Sequence, residues 1–198
     1  MAQLKYWDGS AWQIAATGVV GPTGPAGIGS MGYASGDYFG FTGSNTSQAL
    51  TLNEVNYAPF YLPETITIDR IAARTHTVFS GTAVVRLGIY NCTNSKPSTV
   101  KFDAGTVSCT AASTTYQITI NETLEAGWYF MAGVLQTAAT NNTFIANTVN
   151  QAPILGIYNP TTLNLSVCFR QSGVSGAFAT AGTLTHAQQS MVVAVRKT

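Results

Sequence analysis

Glycine holds every third position through four consecutive triplets: Gly18-Val19-Val20, Gly21-Pro22-Thr23, Gly24-Pro25-Ala26 and Gly27-Ile28-Gly29. Three polyproline-II chains wind about a common axis only where the axial residue has no side chain, so a Gly-X-Y period is a signature of three-chain assembly. A flexible Gly/Pro linker has the same composition, and the repeat alone does not separate the two. Four triplets at ~3 Å rise per residue give roughly 35 Å of wound stalk. That is too short to hold a trimer unaided, so a trimer also requires an apolar contact between the domains the stalk carries.

Three zones follow from the position of this repeat. Residues 1–17 hold Tyr6, Trp7 and Trp12 within seven positions. Residues 18–31 hold the Gly-X-Y segment. Residues 32–198 carry almost all the apolar periodicity. In the third zone that periodicity is two. Val85, Leu87 and Ile89 alternate with Val84, Arg86 and Gly88. Tyr116, Ile118 and Ile120 alternate with Gln117 and Thr119. Trp128, Phe130, Ala132 and Val134 form another such row, as do Leu163, Leu165, Val167 and Phe169, and Met191, Val193 and Val195. Runs of this kind, rich in β-branched and aromatic residues and separated by Gly, Pro, Asn and Ser clusters, read as β-strands. No window shows a helical stripe. Eight or so short strands, each with one apolar face, imply an all-β domain of two packed sheets, a β-sandwich of jelly-roll type.

Charged residues make up only 9% of the chain and the formal net charge is +1, against roughly 25% charged in a typical globular protein. With no basic patch there is no case for nucleic-acid binding. The polar surface comes instead from Ser, Asn, Gln and 28 threonines, a composition common in extracellular and virion proteins. No apolar run approaches the ~20 residues of a membrane helix, so no membrane insertion is expected. The first eight residues contain no apolar secretory core, which leads to the expectation of synthesis and assembly in a cytoplasm. Asn45, Asn91, Asn121, Asn141 and Asn164 begin Asn-X-Ser/Thr sequons, which chance supplies in a chain this rich in Asn and Thr.

Catalytic constellations are missing from the pattern. His76 and His186 stand 110 positions apart, and no GxSxG, HExxH or P-loop occurs. The Gly36-Asp37-Tyr38-Phe39-Gly40 stretch has no helix after it to cradle a phosphate. Glu122 and Glu125 flank Leu124 in an expected solvated turn, a poor glycosidase pair. Cys92, Cys109 and Cys168 lack CxxC spacing, so no metal site and no cofactor are expected. Cys168 reads as a buried free thiol, and a Cys92–Cys109 bridge stays open. Sugar binding without cleavage has its own candidates: Tyr33, Tyr38, Phe39, Phe41, Tyr57 and the Tyr158-Asn159-Pro160 turn. Each is also a candidate for core or subunit contact.

Asp8-Gly9 is a turn dipeptide between aromatic pairs, so Tyr6-Trp7 and Ala11-Trp12 are expected to form the arms of a small hairpin. Two tryptophans on so short a segment have no core of their own. Buried in a partner, each would contribute about 1.5–3 kcal/mol or more.

The order of an aromatic head, Gly-X-Y triplets and an all-β module resembles small fibre and tail proteins of bacteriophages. The string Tyr6-Trp7-Asp8-Gly9-Ser10-Ala11-Trp12 is similar to the segment that often opens phage tail-fibre and minor tail proteins. The stretches 81–90, 103–107 and 124–130 are similar to a β-sandwich module common in them. The resemblance covers most of the chain, although the collagen-like run is shorter than many phage stalks. It implies a non-enzymatic homotrimer in the virion. Tyr6, Trp7, Asp8 and Trp12 would anchor it to another structural protein of the tail, baseplate or capsid. Gly18, Gly21, Pro22, Gly24, Pro25 and Gly27 would form the trimer stalk. The head would face outward and bind a host cell-surface glycan or protein as part of a tail fibre. The same architecture serves a head fibre or decoration protein of the capsid, whereas a polysaccharide-degrading tailspike usually needs a long β-helix for which this chain has no room. Because the stalk blocks one end of a sandwich, host-binding loops are expected at the other, and Asn94–Ser98, Thr137–Asn142 and Ser172–Gly176 are the candidate segments. Sedimentation of the isolated protein at micromolar concentration is expected to give a trimer; a monomer or dimer would remove the argument from the glycine period.

Overall fold

The computed structural model describes residues 5–14, 34–40, 44–148 and 168–198. All six stalk positions named above lie outside the described residues, as do Tyr33, Phe41, Tyr158 to Pro160, and Leu163, Leu165 and Val167. The chain divides into two compact units, Met1–Gly32 and Tyr33–Thr198.

In the first unit, β1 (Lys5–Trp7) pairs antiparallel with β2 (Trp12–Ile14). The second unit is entirely β among the described residues. Its strands are β3 (Tyr38–Gly40), β4 (Ser44–Ala49), β5 (Glu54–Leu62), β6 (Ile66–Ser80), β7 (Ala83–Thr93), β8 (Lys96–Cys109) and β9 (Thr115–Leu124). They continue with β10 (Gly127–Thr137), β11 (Asn141–Thr148), β12 (Cys168–Ser172), β13 (Thr185–Ala187), β14 (Gln189–Met191) and β15 (Val193–Lys197). Two strands, β6 and β8, run to 15 and 14 residues rather than being short, and the described residues hold more strands than the eight or so expected. One sheet has the order β13-β12-β5-β10-β7-β8. The other is built on β14-β11-β6-β15-β3, with β4 also on β11 and β9 also on β6.

The two sheets share one core. Phe60 and Leu62 of β5, Val85, Leu87 and Ile89 of β7, and Met131 and Leu135 of β10 meet Ile68, Ile71 and Ala73 of β6 and Val193 and Val195 of β15. The β7 and β15 rows are those the alternation assigned to the core. The reading of one apolar face per strand, however, fails on β10. Trp128, Phe130, Ala132 and Val134 do not face the second sheet; Tyr129, Met131 and Leu135 do. Phe130, Ala132 and Val134 join Val55, Tyr57, Tyr90, Phe169 and Phe178 in a second apolar cluster, packed also by Val174, Ala181 and Leu184. A strand buried on both faces reads as a continuous apolar run, and Phe130-Met131-Ala132-Gly133-Val134-Leu135 is one.

The cover on that outer face is the chain between β12 and β13, residues 173–184. It is pinned along its length. Val174 N donates to Asn53 O at 2.9 Å and Ala181 N to Ser98 O at 2.7 Å. Tyr90 Oη donates to Ala179 O at 2.9 Å, and Gly182 N to Gln171 Oε1 at 2.9 Å. Asp103 of β8 is the central peg. Its carboxylate accepts from Arg86 Nε at 3.0 Å, from Gly105 N at 2.9 Å and from Phe178 N at 2.9 Å. Phe178 then lies so close to Gly88 that a Cβ there would sit 2.8 Å from its ring and 2.7 Å from Phe102 O.

The strands define two ends. Residue 34 enters where β15 finishes, and Gly36 N donates to Lys197 O at 2.9 Å. The Leu62-to-Ile66, Thr93-to-Lys96 and Leu124-to-Gly127 turns share this entry end, as the antiparallel registers require. Ser80-to-Ala83, Cys109-to-Thr115, Thr137-to-Asn141 and the start of the strap at Ser172 lie at the far end. The Asn94–Ser98 segment is mostly not a loop. Asn94 (φ 51°) and Ser95 (φ 62°) form a tight turn, and Lys96 to Ser98 already belong to β8. A positive φ at both central residues matches the right-handed twist of a hairpin. Pro97 is tolerated because β8 is the sheet edge.

Replacing Asp103 by Ala removes its hydrogen bonds to three partners and leaves Arg86 half-buried without its carboxylate, at a cost of about 2–4 kcal/mol. The expected result is a lowered midpoint in chemical unfolding and faster proteolysis confined at first to residues 173–184. Unchanged cleavage in that stretch would show that apolar contact alone holds the strap.

Candidate functional site

Of the four residues expected to anchor the chain, all lie in the β1–β2 hairpin. The arms are Lys5–Trp7 and Trp12–Ile14, so Ala11 belongs to the loop rather than to an arm. The loop is the four residues Asp8-Gly9-Ser10-Ala11, closed by Asp8 N donating to Ala11 O at 3.1 Å. Asp8 organises it. Its Oδ1 accepts from Ser10 N and Ala11 N, both at 2.8 Å, and from Ser10 Oγ at 3.0 Å. Its Oδ2 accepts from Gln13 Nε2 at 2.8 Å. Gly9 takes φ +100°, where a side chain would be strained. An Asp that bonds backbone amides two and three residues ahead makes an Asx turn, here with a strand residue added as a fourth donor.

Trp7 and Trp12 are register partners. Their rings meet edge to face with centroids 5.7 Å apart. The two tryptophans remain 54% and 66% exposed, and Tyr6, on the opposite side of the hairpin, 54%. Aromatic pairs in this geometry are worth about 0.5–1.5 kcal/mol beyond their burial. The outcome is a small two-sided aromatic projection whose shape is fixed by one carboxylate. Exposed Trp and Tyr on a short rigid element are the usual anchors of protein interfaces.

In the second unit the sugar-binding candidates separate. Phe39 and Tyr57 are buried in the two apolar clusters and reach no ligand. Tyr38 is 42% exposed. Its hydroxyl donates to Gln117 Oε1 across the sheet, and Arg196 Cζ stands 5.9 Å from its ring centroid. Sequence reasoning did not mark a second aromatic pair, exposed Tyr61 with half-buried Trp128 at 5.1 Å, at the entry end. Their partnership follows from a register the sequence does not print. Of the candidate loops, Thr137–Asn142 is tied down: Asn141 Nδ2 bonds Ser80 Oγ at 3.1 Å and Asn142 Nδ2 bonds Leu50 O at 2.6 Å. Ser172–Gly176 opens the strap.

His76 Nδ1 lies 3.2 Å from Thr77 Oγ1, and His186 packs on Phe169 at 4.5 Å. Glu125 Oε2 accepts from Thr65 Oγ1 at 2.8 Å, while Glu122 is exposed on β9. All three cysteines are free thiols. Burial pushes Cys109 and Cys168 up to about 12, which leaves neither thiolate at neutral pH. Among the described residues no three of His, Cys, Asp and Glu gather to hold a metal ion, and no helix is long and apolar enough to cross a membrane.

No protein-family model, no curated protein and no solved structure matches the chain.

The backbone amides of Ala11 and Ser10 hold the Asp8 carboxyl well below the usual carboxylate range, with Gln13 assisting. A carboxyl depressed on folding stabilises fully above its unfolded value of ~3.9, and that contribution fades only as pH falls below it. The exciton signal of the Trp7–Trp12 pair in circular dichroism is therefore expected to be constant from neutral pH down to about pH 5 and to weaken below about pH 4. Asp8→Ala should abolish it at every pH. A signal that survives the substitution would show that ring contact alone sets the hairpin.

Proposed function

We propose that this chain is a structural protein of a bacteriophage virion: a homotrimeric tail fibre without enzymatic activity. Residues 1–17 attach it, residues 18–31 join three copies through the glycine period, and the β unit is a jelly-roll head that binds the host surface. The observation that carries this reading is the Trp7–Trp12 ridge, rigid, exposed and placed ahead of the Gly-X-Y triplets. A hairpin this small gains little by folding for its own sake, so a preorganised aromatic surface is best explained by a partner that buries it. That partner is another virion protein of the tail, baseplate or capsid.

The head has a polarity that fits. The chain enters at one end, and the Tyr61–Trp128 pair there offers apolar area where three heads would converge beside a stalk. The far end, with Thr137–Asn142 and the first residues of the strap, is left for the host. Asn94–Ser98 lies at the entry end, so in this reading the host-binding segments are the other two. A second reading, a capsid head fibre or decoration protein, is favoured by the Thr137–Asn142 connection being short and hydrogen-bonded to its neighbours, which suits a static cap better than an adaptable receptor loop.

A chain lacking residues 1–17 is expected to give a folded, soluble trimer that no longer enters particles. Aggregation or unfolding of the truncated protein would mean that the aromatic hairpin belongs to the fold of the head. Imaging of labelled particles then separates tail from capsid. Replacement of 138–140 by Gly/Ser, or insertion of a short Gly/Ser stretch after Ser175 that leaves Val174 in place, should keep the trimer, and loss of host adsorption is the result expected for a tail fibre. Unaltered adsorption with both changes removes the far end as the host-binding surface.

A further inference from the structure

The outer faces of the two sheets differ. The six-stranded sheet is covered by the strap. The outer face of the other sheet carries a shallow concavity of about 510 Å³ lined by Tyr38, Ala72, Arg74, Thr115, Gln117 and Ala194. Such a volume falls within the ~300–1,000 Å³ of ordinary ligand clefts. Its position follows from alternation. Phe39, Ile71, Ala73, Ile118, Val193 and Val195 turn into the core, so their strand neighbours turn out. The register sets Gln117, Ala72, Ala194 and Gly40 in one row, and Arg74 opposite Thr115 beside it. Small side chains form the floor, and long ones stand around it.

Two features specify what such a hollow accepts. The first is the aromatic wall. Tyr38 is held at its hydroxyl by Gln117 Oε1 and at its ring by the Arg196 guanidinium. Arg196 is in turn fixed by Asp69, with Nε 2.8 Å from Oδ1. The ring is thus preorganised, and the Gln117 amide nitrogen stays available to donate.

The second feature is a charge. The chain has five arginines and eight Asp or Glu, all among the described residues. Arg70 and Arg196 share Asp69, Arg86 pairs with Asp103, and Arg170 with Glu54. Arg74 is exposed, bonds Thr115 Oγ1 at 3.1 Å, and has no carboxylate. The unmatched guanidinium is therefore the one at the hollow.

We propose that this hollow binds a saccharide bearing a carboxylate, with Arg74 on the carboxylate, the Tyr38 ring against the apolar face of the sugar, and Gln117 and Thr115 on its hydroxyls. A guanidinium grips a carboxylate through two parallel hydrogen bonds. A pyranose offers an apolar C–H face to an aromatic ring and hydroxyls at its rim. Little ordering is needed on the protein side, which lowers the entropic cost of binding. Three copies in a trimer would multiply a weak single-site affinity. This inference rests on the host-surface reading above and assigns it a ligand class.

The test titrates the isolated full-length protein with tetragalacturonate, with neutral maltotetraose and with inorganic phosphate, followed by nuclear magnetic resonance. Saturable binding of tetragalacturonate is expected, with maltotetraose at least roughly tenfold weaker and phosphate unable to compete at matched charge. Arg74→Gln and Tyr38→Ala should each weaken tetragalacturonate at least about tenfold. Arg74→Gln, at an exposed position, should leave the melting temperature unchanged. Arg74→Lys should recover part of the loss. No saturable binding, equal binding of maltotetraose, effective competition by phosphate, or affinity that survives Arg74→Gln would each overturn the proposal. The titration reads sugar binding by the isolated protein, whereas adsorption of particles to the host reads the host-surface role, so the two readings fail separately.

Discussion

Burial of β10 on both faces governs the architecture of the second unit. A strand in a two-layer sandwich needs one apolar face, but Gly127–Thr137 has two. Met131 and Leu135 fill the space between the sheets, and Phe130, Ala132 and Val134 would face water. Transfer of such side chains from water is worth about 1.5–3 kcal/mol each for the larger ones. The chain meets this demand with residues 173–184, which have little regular structure. Irregular backbone laid over an apolar face needs its polar groups satisfied. Hence Asn53, Ser98, Asp103, Gln171 and Tyr90 each hold one point of the strap. Gly88 follows from the same cause, since Phe178 occupies the room a side chain would need.

This demand also decides what was legible in the sequence. Period-two alternation located β7, β9, β10 and the closing strands, and the all-β class with them, because each presents an apolar row at strand spacing. The alternation on β10 points to the wrong face because its alternate positions are apolar too, and alternation carries no information when both phases qualify. Cys168 and Phe169 are adjacent and both buried for the same reason: one faces the sheet interior and the other lies under the strap. Ser172–Gly176 reads as a free loop and a candidate host-binding segment because its Ser and Gly content hides that Val174 packs into the outer cluster.

The hairpin was legible because its information is local. Asp8, Gly9 and two flanking tryptophans suffice to specify a turn, and only the loop length differs, since an Asp that captures amides two and three residues on favours four loop residues over three. The hollow beside Tyr38 was not legible. Its lining comes from β3, β6, β9 and β15, between 38 and 194 in the chain, and depends on registers that bulges shift by one residue. Arg74 looks ordinary in sequence; it becomes distinctive only when every other arginine is seen to have a carboxylate.

The way the chain joins the second unit has a mechanical consequence. β3 begins at the entry end and runs inward beside β15, with Tyr38, Phe39 and Gly40 paired to Arg196, Val195 and Ala194. Two further bonds, Gly36 N to Lys197 O and Lys197 N to Asp37 O, lie just outside that pairing. Hydrogen bonds of an antiparallel pair run across the strands. Tension applied at residue 34 along the strand axis therefore loads all of them together, in shear, and must also draw Phe39 out of the core. Pulled from this point, the unit resists as a clamp that fails at once, not as a zipper that opens bond by bond.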